Sequence, residues 1–114
     1  MSTAYYTHTP DDPEAQVRVG VQSCGWRFMH QGGTGVETRA QWEAWLSGAG
    51  CDIISEYGHV YSVPEMIART AAQAGERSAV QAFHSDPERD AALGIEPGDY
   101  WQDAGGHDFT RRGR

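Results

Sequence analysis

The sequence predicts an α+β fold: a small antiparallel sheet of two β-hairpins in the order ββαββα, with helices packed on one face. Three observations carry this. Residues 17–23 (VRVGVQS) alternate apolar and polar, the period of a half-buried strand, and Ser23-Cys24-Gly25 then signals a turn. Residues 51–66 (CDIISEYGHVYSVPEM) pass through a strand, a tight Tyr57-Gly58 reversal, a second strand and a helix start. Two later segments carry apolar residues at helical spacing behind capping signals.

Residues 1–16 are rich in Thr, Pro and Asp and read as a flexible N-terminal arm, with Tyr5 and Tyr6 available to dock. The single domain then runs from 17 to 110. In its first strand Val17, Val19 and Val21 share one face, and Arg18, Gly20 and Gln22 the other. Gly20 inside a strand marks a bulge or a close approach of another segment. Residues 26–31 form the return strand, with Trp26 and Phe28 on one face and Arg27 and Met29 on the other.

Residues 31–36 (QGGTGV) read as a flexible connection. They lack the G-K-[ST] of a phosphate loop, and the chain has no Lys at all. Thr38 and Gln41 have capping-box spacing, and Trp42, Trp45 and Leu46 share a helix face that ends in Ser47-Gly48-Ala49-Gly50. Residues 51–56 and 59–62 make the second hairpin. Ser62 and Glu65 form a second capping box, followed by an inner face of Met66, Ile67, Thr70, Ala71 and Ala74 and a stop at Gly75. Residues 75–110 hold a short helix or strand around Val80 and Phe83, a helix opening at Ser85-Asp86-Pro87-Glu88, and a C-terminal hairpin around 103–106 anchored by Trp101 and Phe109. Residues 111–114 read as a frayed tail.

The 114-residue chain carries a net charge of -7, so bulk electrostatics do not draw it to nucleic acid. Its nine basic residues are all Arg, and it has no Asn. Both absences fit coding in a GC-rich genome. No apolar run is long enough to span a membrane and no apolar leader opens the sequence, so a cytoplasmic location is expected.

Gly20, Ser23, Gly25, Trp26 and Phe28, then Trp42, then Glu56-Tyr57-Gly58, and finally Gly106-His107-Asp108-Phe109 form a spaced series. In these G-x-x-S-x-G-W-x-F and E-Y-G motifs the chain resembles a family of small uncharacterised proteins of tailed phages and prophages, of the actinobacterial type. Arg18 and Val21 stand where that family often has His and Lys. The resemblance implies a phage or prophage accessory protein in the host cytoplasm, and carries no activity with it.

The residue chemistry points to binding. Trp26, Arg27 and Tyr57, with Glu56 and His59, make an aromatic-plus-arginine set of the kind that anchors protein interfaces. The expected function is a non-enzymatic accessory protein that binds a host or phage protein, with no direct nucleic-acid or membrane partner. An acidic DNA mimic is the first alternative, and a contiguous acidic face is its mark. A small hydrolase or metal-dependent enzyme is the second; it requires Glu56, His59, His30 or a cysteine to converge in one pocket. No catalytic residue, metal ligand or cofactor is assigned. Cys24, His30, Cys51 and His59 lack the spacing of the common zinc sites. A Glu56–His59 acid–base pair competes with a plain hairpin turn in which the two form an exposed cross-strand pair and Tyr57 packs its ring.

Overall fold

The computed structural model describes every residue except Met1, Pro13, 72–76, 84–85 and 113–114, and the side chain of Phe83. Its strands are β1 (Ser2–His8), β2 (Arg18–Ser23), β3 (Met29–Gln31), β4 (Asp52–Ser55), β5 (Val60–Tyr61), β6 (Tyr100–Gln102) and β7 (Asp108–Thr110). The helices are α1 (Arg39–Gly48), α2 (Val63–Ala71), α3 (Ala79–Phe83) and α4 (Pro87–Ala92). All seven strands join one sheet in the order β5-β4-β1-β2-β3-β7-β6.

The α+β class stands, but the architecture differs from the predicted one in four ways. First, residues 2–8 are not a flexible arm. They form β1, paired on one edge with β2 and on the other with β4. Tyr5 and Thr7 turn inward and are buried, and the strand's backbone groups find partners on both sides. The polar composition of the segment hid an alternation of Tyr and Thr, residues that suit a pleated surface.

Second, the sheet is mixed. The C-terminal hairpin β6–β7 forms at the expected place, and β7 pairs in parallel with β3. Both hairpins 18–31 and 52–61 are present, so ββαββα describes only the middle of a longer order. Third, Val17, Val19 and Val21 do not share a face. Tyr5 opposes Gly20 while Tyr6 opposes Arg18, so Val19 is the extra residue of a β-bulge. Val19 is fully buried, Val17 is 44% exposed, and Val21 lies on the far face of the sheet. Gly20 meets both expectations raised for it: the bulge adjoins it, and the Phe28 ring lies against it.

Fourth, the helices do not all cover one face. Tyr5, Gly20 and His30 are in register, and this row faces α1 and α2. Val21, Met29, Asp108 and Gln102 form the adjacent row, on the opposite face. Ser78, just before α3, donates from its hydroxyl to the Asp108 carboxylate, which places α3 on that second face over β6 and β7.

The core lies under α1 and α2. Trp42 is its centre: fully buried, edge-on to Phe28 and His30, and donating from Nε1 to the Val19 carbonyl at 3.0 Å. Leu46, Ile53, Met66 and Phe109 are fully buried around it. The helix starts follow local chemistry. Thr38 caps α1 by accepting from the Gln41 N–H, and Ser62 and Glu65 exchange both bonds of a capping box at α2. Asp86 caps α4. Ala71 is exposed, and the expected Ala74 contact, the Gly75 stop and the Ser85 start lie outside the described residues.

The connection at 31–36 is tied rather than flexible, with Gly33 and Val36 exchanging two backbone hydrogen bonds. A Cβ on Gly32 would come within 2.6 Å of the Val36 carbonyl oxygen and 2.8 Å of the Trp101 ring, so this glycine is required by packing. Nor is Arg111 part of a frayed tail: its Nε donates to Asp99 at 2.8 Å. Gly113 and Arg114 lie outside the described residues.

Candidate functional site

On the face opposite α1 and α2 the sheet carries an open groove of about 550 Å³. That is within the size range of ligand sites. Its apolar lining is Val21 and Met29 from the sheet, Ala79 and Ala82 from α3, and the rings of Trp26 and Tyr100. Four arginines, Arg18, Arg27, Arg89 and Arg112, also line it, and among the described residues no Asp or Glu does. In a chain with 16 acidic residues and nine arginines, that grouping runs against the overall balance of charge.

The local structure explains how these side chains are held. Gly25 adopts φ 81°, turning the chain so that Trp26 and Arg27 run beside Arg77 as an isolated parallel bridge. The Arg27 N–H donates to the Arg77 carbonyl at 2.8 Å, and the Gln22 amide donates to the Trp26 carbonyl at 2.8 Å. The Arg77 guanidinium sits over the Trp26 ring. Arg27 Nη1 donates to the Gly106 carbonyl at 3.0 Å, and Arg89 Nη2 donates to the Ala82 carbonyl. Arg18 Nε is shut off from solvent without an acceptor among the described residues.

Beneath the other face lies a polar cluster. His30 is 2% exposed; its Nδ1–H donates to the Asp108 carbonyl and its Nε2 accepts from Arg39 Nη1 at 3.0 Å. Burial pushes its pKa down to about 3, so the ring is neutral. Arg39 also donates to the Thr70 hydroxyl and the Ile67 carbonyl, and lies over the Trp42 ring. Burial lowers its pKa from the ordinary arginine value. Asp103 accepts from the N–H groups of Arg39, Gly105 and His107, and pairs with His107 Nδ1 at 3.0 Å. Burial alone would raise the Asp103 carboxyl; these donors outweigh it and hold the pKa below the ordinary carboxylate value. The chemistry of this cluster is structural. It fastens the first turn of α1 and the hairpin turn at 103–106 to the core, and Asp103 fills the anion position at the start of α1.

Comparison with protein-family models, with curated proteins and with solved structures found no match.

The residues singled out in the sequence divide. Trp26 and Arg27 line the groove. Glu56, Tyr57 and His59 do not: they sit at the β4–β5 turn, on the other side of β1. Tyr57 is 58% exposed, so its ring does not pack. Glu56 accepts from the Ala4 N–H at 2.8 Å and does not pair with His59. His30 is in the core, exposed Cys24 follows β2, and Cys51 precedes β4 at the opposite end of the sheet; both thiols are free. These groups therefore do not converge in one pocket, as a hydrolase or metal site built on them requires. Buried Asp90, Asp99 and Asp108 add nothing to an acidic face.

Sequence reading passed over Arg18, Arg89 and Arg112. They come from β2, α4 and the residues after β7, and only the three-dimensional fold collects them. The one signal available was the absence of acids from residues 17–31, which supply seven of the described lining residues.

Proposed function

We propose that this chain is a non-enzymatic binding protein whose working surface is the groove-bearing face of the sheet. The carrying observation is the gathering of four arginines around an apolar lining with no carboxylate among the described lining residues. Guanidinium groups beside aromatic and aliphatic surface are the usual anchors of a protein interface. Trp26 and Arg27 belong to this surface. The phage or prophage setting rests on the motif resemblance, and the bound partner is accordingly a host or phage protein.

The test is affinity capture from an actinobacterial host lysate with and without phage infection. Wild type is run beside Trp26→Ala, Arg112→Gln and Tyr57→Ala, each first shown to be folded by circular dichroism. One stoichiometric protein retained by wild type and Tyr57→Ala, and lost from the two groove variants, is the expected result. A partner lost from Tyr57→Ala but retained by both groove variants places binding at the β4–β5 turn and overturns this reading.

A further inference from the structure

We infer that the groove holds an acidic peptide segment of the partner, its carboxylates on the arginines and its apolar side chains on the lining between them. This inference rests on the reading of the face as a protein-binding surface.

Four observations carry it. The first is Arg18, whose Nε is cut off from solvent with no acceptor in the described chain. A groove-lining guanidinium without a carboxylate partner can take one from an incoming segment through its other N–H groups. Among the described residues no carboxylate pairs with Arg18 or Arg112.

Second, among the described residues Arg27 and Arg89 are each held by one carbonyl, those of Gly106 and Ala82. A guanidinium has five N–H donors, so anchoring by one leaves others to grip a carboxylate. Arg89 also has Asp90 nearby at 3.5 Å, an ion pair that is partly exposed and therefore weak.

Third, the lining between the charges is apolar, and it does not stop at the groove. On the same face Val21 is in register with Ala4, and Tyr6 with Ile54, which is in register with Val60. These side chains are half-buried, and Val60 is 50% exposed. A small free anion would use the arginines and leave this surface wet. A peptide with alternating acidic and apolar side chains uses both.

Fourth, charge excludes the competing occupants. A second copy docked through the same face would set arginines against arginines. A nucleic acid meets a chain of net charge -7, which opposes a uniform polyanion; a short segment places a few carboxylates only where the arginines are.

The experiment is selection from a random dodecapeptide display library on the immobilised full-length chain, with calorimetric titrations of the enriched peptides into wild type and Trp26→Ala. The expected result is enrichment of peptides rich in Asp or Glu together with Leu, Phe or Trp. Their binding weakens as salt rises, and Arg18→Gln or the exposed-site variant Arg112→Gln weakens it by about ten-fold, the loss of one charge-assisted contact. Enriched peptides without acidic bias that still depend on Trp26 overturn the inference and leave the binding-face reading standing. Single-stranded oligonucleotide or inorganic phosphate binding more tightly than every selected peptide, with the same arginine dependence, also overturns it. No enrichment over uncoated surface removes both readings.

Discussion

Gly20 and His30 sit side by side in register, and each shows what a single residue decides in this fold. A Cβ on Gly20 would stand 2.3 Å from Phe28 Cζ and 2.5 Å from the Met29 carbonyl oxygen. The ring can tilt, but the carbonyl belongs to the β2–β3 ladder and cannot. Gly20→Ala is expected to destabilise the chain by about 3 kcal/mol, at the upper end for overpacking, as read from urea unfolding. A loss under about 0.5 kcal/mol, the size of an ordinary surface substitution, would refute the packing argument. His30 acts through protons. The folded ring stays neutral down to about pH 3, while an unfolded histidine takes up a proton below about pH 6.5. The unfolded state thus binds more protons in this window. The contribution is complete above about pH 6.5 and is lost as pH falls, by up to about 1.4 kcal/mol per pH unit. Asp99 and Asp103, whose pKa values are lowered, contribute above the ordinary carboxylate range and lose it only at more acid pH. Between about pH 6.5 and 4.5, wild type should therefore lose stability with a slope that His30→Gln flattens. Equal slopes in the two proteins would refute this. Gly20 was legible as a bulge or close-approach residue, because glycine in a strand has few other meanings. The burial of His30 was not, since its partners Arg39 and Asp108 lie on a helix and on a distant strand.

At the scale of elements, β1 bears the most weight relative to its sequence signal. It separates β2 from β4 and supplies both with backbone partners. Deleting residues 2–8 would expose two strand edges and remove Tyr5, leaving Phe28 and Tyr61 without the ring they pack on. The truncated chain is expected to show no cooperative unfolding transition by circular dichroism. A cooperative melt within about 5 °C of wild type, equivalent to about 1 kcal/mol, would show β1 to be dispensable. The hairpins and capped helices were readable because their signals are local: Gly58 and Gly106 at positive φ in turns, and Ser62 with Glu65 at helix spacing. β1 was not, because its side chains are polar in type and its burial comes from strands more than ten residues away. The β3–β7 pairing was invisible for the same reason.

The whole molecule is two-faced. One side of the sheet is closed by α1 and α2 over a core rich in aromatic rings. The other is covered by α3 over β6 and β7, and toward β2 it opens into the arginine-lined groove. Net acidity hides this asymmetry. The overall charge of -7 suggested a surface repelling anions, whereas the fold gathers four arginines around one groove. Trp26 and Arg27 could be picked from the sequence because an aromatic ring beside an arginine is the usual chemistry of an interface anchor. The rest of the groove depends on which strands become neighbours, and composition holds no record of that.

The parallel pairing of β3 with β7 also has a consequence for synthesis. Gln31 leaves the ribosome 79 residues before Thr110, the strand neighbour whose carbonyl its amide reaches. Until then the outer edge of β3 has no partner, although β1, β2 and β4 can already have assembled. The nascent chain thus passes through a stage in which β3 is an edge strand, a state in which a foreign strand is easily accepted. Closing so long a loop is slow by its entropy. The sheet is therefore completed only after translation of the C-terminal hairpin, whose β7 covers the β3 edge and leaves β6 as the edge strand.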